Sequence, residues 1–217
     1  MDAEKIRLIT LAGAFTAIVL VEFAAEAVVA TGLCSPTAVL SGARLTETAL
    51  ILVLIKSWQG GLGSAGLDKK DIVRGVKAGL VWSIVFGGIV AVAGTLLLAA
   101  GHNPVLFFRL SLPSGSDGVI YLFTGVVIAP FAEELFFRGV LYGFFRRRGV
   151  VAGIILTSAI FAALHLPGGG VPITQTVGGV VFCLAYEKEK SLMTPYVIHA
   201  LGNAAIFGLA MLANWGF

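Results

Sequence analysis

The chain has 217 residues, 58% hydrophobic and only 12% charged, with a mean hydropathy of +0.96 and a net charge of +3. A soluble domain carries about 25% charged residues, so too little charge is present to cover this much apolar side chain. The composition excludes a disordered chain, a coiled coil and a soluble nucleic-acid binder, and it predicts one integral-membrane domain over 1–217 in the cell membrane.

A helix needs about 20 apolar residues to cross the hydrocarbon layer. In chain order, 8–31 is apolar apart from Glu22 and Glu26. These share a face and are expected to pack inward, to line a substrate cavity, or to pair with Arg44 or Arg138. With those two charges and no clean small-x-small site after it, this stretch reads as a span rather than a signal peptide. Residues 45–59 are flanked by Arg44, Glu47 and Lys56 and predict a short or tilted span. The glycine-rich 60–66 reads as a linker, and the amphipathic 68–77 as a segment along the inner interface. Residues 78–100 are an uncharged span. An outer loop follows over 101–118, with His102 solvated in it. Further spans are 119–145, 150–166, 172–186 and 195–215, the last capped by Thr194 with Pro195 in its first turn. The fold expected is an all-α polytopic bundle of about seven helices around an intramembrane polar cavity. Cys34 and Cys183 are expected as two buried apolar thiols with no metal motif.

The basic residues test this layout. With an inside N-terminus, the inside segments hold Lys5, Arg7, Lys56, Lys69, Lys70, Arg74, Lys77, Arg146, Arg147, Arg148, Lys188 and Lys190. Arg44 and Arg109 fall outside, and Arg138 lies within a span. This is the positive-inside bias. It makes Arg146–Arg148 a membrane anchor rather than a nucleic-acid patch. Glu187-Lys188-Glu189-Lys190 reads as a solvated charge run.

The informative residues are polar ones inside apolar sequence, because a charge at the centre of a span costs about 2.5–3.5 kcal/mol. Glu134 and Arg138, four apart, share a helix face as a nearly neutral pair. Glu133 lies about 100° round the helix with no local partner, which suits a general base. Its alternative is one part of a salt-bridged kink. Phe161 and His165 share a face; taken alone, that pattern fits a histidine bonded to a backbone carbonyl. His199 and Asn203 share a face and can both donate to an oxyanion; taken alone, they fit interhelical glue. Together the groups suit activation of a water, and no serine or cysteine is placed as a nucleophile.

The ordered set Glu133-Glu134-x-x-x-Arg138, Phe161-x-x-x-His165 and His199-x-x-x-Asn203 resembles the CAAX protease and bacteriocin-processing family, which includes the type II CAAX prenyl endopeptidases. The motifs lie within 119–207. The resemblance implies a glutamate-dependent intramembrane endopeptidase. By its pattern Glu133 and His165 activate water, His199 and Asn203 form the oxyanion hole, and Glu134 and Arg138 hold the first motif. It implies a membrane-associated or prenylated peptide or protein substrate, and no cofactor. Two alternatives remain: a metal-dependent protease using the same residues, although no His-Glu-x-x-His pair is present, and a non-catalytic immunity factor, chaperone or small transporter. Depth raises one difficulty. Counted from the turn at 146–149, Glu133 and His165 lie about 20 and 26 Å in, whereas His199 comes out some 10–15 Å too shallow. Either the helices tilt or residues 187–194 dip into the bundle.

Overall fold

The computed structural model describes residues 6–104, 112–166 and 172–214. Lys5 and Arg109, named above, lie outside them. Among the described residues there is no strand, and the chain is an all-α membrane bundle. Its long helices are α1 (Leu8–Thr31), α2 (Pro36–Trp58), α3 (Ile72–Ala99), α4 (Gly115–Arg148), α5 (Val150–Ala163), α6 (Ile173–Glu189) and α7 (Met193–Asn214). α1, α2, α3, α4 and α7 are long and apolar enough to cross a bilayer, which makes this a multi-pass membrane protein. α5 is about 21 Å long and ends inside a hydrocarbon layer of about 30 Å.

The structure corrects four expectations. The weak segment 45–59 is the second half of a full 23-residue helix. That helix starts at Pro36, with Ser35 accepting the amide of Ala38. Arg44 therefore lies inside a span rather than in an outer segment, and pairing with carboxylates makes its charge tolerable there. Residues 72–77 continue into α3 as one helix, because nothing in the sequence breaks it at the interface. Thr194 does not cap α7: the helix starts at Met193, and the Thr194 hydroxyl donates to the Gly75 carbonyl on α3. Of the two thiols only Cys183 is buried; Cys34 is exposed in the α1–α2 turn.

α4 is the axis of the bundle. It packs against α1, α2, α5, α6 and α7, and every residue from Leu135 to Tyr142 is buried. The apolar faces of α1 and α3 point outward instead, as lipid-facing spans must. α3 meets α7 closely across Gly75 and Gly79, where an added Cβ would stand 2.1 Å from Ser191 Oγ and 2.7 Å from Val197 Cβ. This small-xxx-small step lets two backbones approach.

α4 is not a regular helix. It widens into π-helix over Thr124–Ile128 and again over Leu135–Tyr142, on either side of Ala129–Glu134. Pro130 accounts for the first widening. Its ring clashes with the carbonyl four residues back in a regular helix, and it has no N–H to donate.

Candidate active site

The first π segment leaves one carbonyl stranded. The Ala129 amide reaches back to the Thr124 carbonyl, skipping Gly125. The next amide in that pattern belongs to Pro130, which has none. A stranded carbonyl in a membrane interior needs a donor, and Asn203 on α7 supplies it, Nδ2 to Gly125 O at 2.7 Å. Gly125 also lets α7 in, since a Cβ there would sit 2.7 Å from the Phe207 ring. Just beside it, the Ser41 and Thr124 hydroxyls bond at 2.5 Å and tie α2 to α4.

One turn before Asn203, His199 meets both glutamates of α4. Its Nδ1 lies 2.8 Å from Glu134 Oε1 and its Nε2 3.8 Å from Glu133 Oε2. A carboxylate accepts, so Nδ1 carries the proton, and Nε2 faces Glu133. Phe182 stacks on the imidazole at 4.9 Å and Phe161 meets it edge-on at 6.1 Å, which fixes the ring plane.

The expected i,i+4 pair is present. Arg138 Nη1 donates to Glu134 Oε1 at 2.8 Å, and both side chains are fully buried. Arg138 Nη2 donates to the Gly179 carbonyl on α6, and its guanidinium lies 4.8 Å from the Phe161 ring and 5.0 Å from Phe182. Glu134 Oε1 thus serves a guanidinium and an imidazole together. Glu133 is different: its side chain keeps 26% exposure while Glu134 keeps none. Of the two carboxylates, only Glu133 is reachable.

His165 lies just past the end of α5, half-buried. Its Nδ1 donates to the Phe161 carbonyl at 2.8 Å, and its ring packs on Phe161 at 4.7 Å. With Nδ1–H so engaged, Nε2 holds the lone pair. His165 makes no ion pair with Glu133; it borders His199 through the shared Phe161 ring. Glu133, Glu134, Arg138 and His199 therefore meet directly, Asn203 adjoins one turn away, and His165 stands on the far side of Phe161.

The depth of His199 is explained by the α6–α7 turn. Ser191, Leu192 and Thr194 are buried, the Leu192 amide donates to Gly66 O, and Thr194 donates to Gly75 O. Of residues 187–194 it is Ser191, Leu192 and Thr194 that pack into the bundle where α7 begins, while Lys188 stays exposed. Glu187 is the most heavily bonded carboxylate of this end, not part of a solvated run. It accepts from Tyr142, Arg146 and Lys190. Burial raises its pKa, but those hydrogen bonds outweigh burial and set the carboxyl at about 2. Tyr142 and Arg146, four apart at the end of α4, were the available signal for this cluster.

A second charged cluster lies between α1 and α2. Arg44 Nη1 is 2.7 Å from Glu22 Oε1 and 2.6 Å from Glu47 Oε2. A cavity of about 330 Å³ beside it is lined by Glu22, Glu26 and aliphatic side chains of both helices. None of the six motif residues lines that cavity. Glu22 does both things the sequence allowed, pairing with Arg44 and lining a cavity.

Residues 115–205, which hold all three motifs, match the family described as type II CAAX prenyl endopeptidase Rce1-like. A membrane-embedded CAAX protease named MroQ, from Staphylococcus aureus (strain USA300), is 38% identical over 94 residues. That match covers 40% of this chain and 38% of the relative's length. No solved structure matches.

Proposed function

We propose that the protein is an intramembrane endopeptidase acting on a membrane-associated or prenylated peptide, with catalysis carried within 119–207 of a single domain; the match of residues 115–205 to the Rce1-like type II CAAX prenyl endopeptidase family supports this. Glu133 is the general base. It takes a proton from water as the oxygen attacks the peptide carbonyl, and it returns that proton to the leaving amine as the C–N bond breaks. His165 accepts a second hydrogen bond from the same water at Nε2. His199 and Asn203 donate to the oxyanion, Asn203 with the Nδ2 proton not given to Gly125. His199 donates from Nε2 when both ring nitrogens carry protons, Nδ1–H being held by Glu134. Glu134 and Arg138 hold the glutamate pair in register.

The observation that carries this reading is the division of labour between adjacent carboxylates facing one imidazole. Glu134 is sealed and shared between Arg138 and His199, whereas Glu133 is partly open and 3.8 Å from His199 Nε2. Adjacent groups in such different environments are a recurring sign of acid–base chemistry. His165 Nε2 fits the same scheme, because its tautomer leaves a lone pair free.

The test uses the full chain in lipid vesicles and a panel of internally quenched peptides, prenylated and unprenylated. Wild type is expected to cut at least one, with a chelator leaving the rate unchanged. Full activity in Glu133→Gln overturns the reading. Loss of activity on chelation, together with stoichiometric metal, selects the metal-dependent alternative.

A further inference from the structure

Glu187 ends α6 at the basic end of the bundle, and four donors converge on it. Tyr142 Oη and Arg146 Nε reach Oε2 at 2.7 and 2.6 Å, and Arg146 Nη2 and Lys190 Nζ reach Oε1 at 2.6 and 2.5 Å. Tyr142 and Arg146 belong to α4, so this one carboxylate joins α4 to the α6–α7 turn. Lys190 then turns the chain in the left-handed region, φ 53°, and the buried turn leads straight into α7.

A closed circuit results. From Glu134, α4 runs eight residues to Tyr142. From Tyr142 the circuit crosses to Glu187, follows the turn into α7, and reaches His199 six residues after Met193. It closes through the 2.8 Å bond from His199 to Glu134. The α4 arm of the circuit is the fully buried π segment Leu135–Tyr142. With both arms rigid, the bonds at Glu187 set how far α7 stands along α4, and hence where His199 meets the glutamates.

We propose that Glu187 is a positioning residue that sets the register of His199 against Glu133 and Glu134 through the α6–α7 turn. This rests on the reading of His199 as an active-site group. Two experiments separate the claims. The chain has three histidines, so ring ¹⁵N resonances in micelles are assignable by single substitution. In Glu187→Gln and in the milder Tyr142→Phe, the hydrogen-bonded Nδ1–H signal of His199 is expected to shift or vanish while that of His165 stays. Wild-type His199 signals in both variants overturn the inference, and Tyr142→Phe decides alone if Glu187→Gln does not fold. For a peptide of the panel that wild type cuts, Glu187→Gln is expected to lower kcat about tenfold with KM within about twofold, since an ångström of misplacement is costly. In a His199→Ala background the further loss should be under about twofold, and a loss that multiplies in full overturns the inference. If wild type cuts no peptide, the proteolytic reading fails, and the resonance experiment still decides this one.

Discussion

Two charge clusters share this bundle, and they differ in how far they are sealed and in which groups they hold. Between α1 and α2, the carboxylates of Glu22 and Glu47 share a single guanidinium nitrogen of Arg44, with Glu26 nearby in the cavity wall. Between α4 and α7, two carboxylates face one guanidinium and one imidazole. Arginine keeps its proton under any working condition, so the first cluster has no base–acid partner beyond its carboxylates. The second holds an imidazole, the side chain suited to exchanging a proton near neutral pH, and it leaves one ring nitrogen facing a reachable glutamate. Bringing charge into the membrane is thus common to both regions, while only the second adds an imidazole to its carboxylates.

The sharpest way to break the comparison is by substitution of the reachable carboxylates. Glu133→Gln should lower peptide cleavage about 10³-fold or more with the fold intact, whereas Glu22→Ala with Glu26→Ala should cost only a few-fold. The reverse order, read from initial rates on the peptide panel, would favour a transporter or other non-catalytic protein. Next comes the sealed pair. Arg138→Met strands Glu134 without its guanidinium and should destabilise the fold by about 3–5 kcal/mol, measured by denaturant unfolding in micelles. A change under about 1 kcal/mol would mean that His199 alone suffices to hold Glu134.

The basic end supplies a pH test of intermediate size. The Glu187 carboxyl is held at about 2, below its ordinary value near 4.3. Its contribution is therefore present above about pH 4 and is lost as pH falls through about 2. That contribution is no more than about 3 kcal/mol. Unfolding midpoints followed from pH 6 to pH 2 should fall in wild type and stay flatter in Glu187→Gln; parallel curves would remove the carboxylate from the explanation. The smallest effect is expected from Arg44→Met, about 1–2 kcal/mol. It strands Glu47 as well, but the neighbouring cavity can admit water to Glu22. An Arg44→Met loss equal to that of Arg138→Met would erase the contrast between the clusters.

Much of this was legible in the chain. Spacing alone paired Glu134 with Arg138 and set His199 and Asn203 on one face, and composition alone required a membrane bundle. The bland readings of two motifs also proved to be real bonds: His165 does bind a carbonyl, and Asn203 does tie helices together. Neither bond uses up the side chain: His165 keeps Nε2 and Asn203 keeps one Nδ2 proton for the chemistry proposed. Two regions were misjudged because charge was weighed without partners. α2 looked like a short or tilted span from 45 until Glu22 was placed beside Arg44, and Glu187 looked solvated until Tyr142 and Arg146 came across from α4.

Local order along the chain settles which segments enter the bilayer and which polar groups they carry, because helix periodicity and apolar length act over a few turns. How those groups meet was decided only by packing. Pro130 strands a carbonyl that α7 must answer with Asn203, and Glu187 ties the α6–α7 turn to α4 while His199 meets the glutamates. Both depend on contacts between residues 45 to 78 positions apart, and no short-range pattern can register distances of that kind.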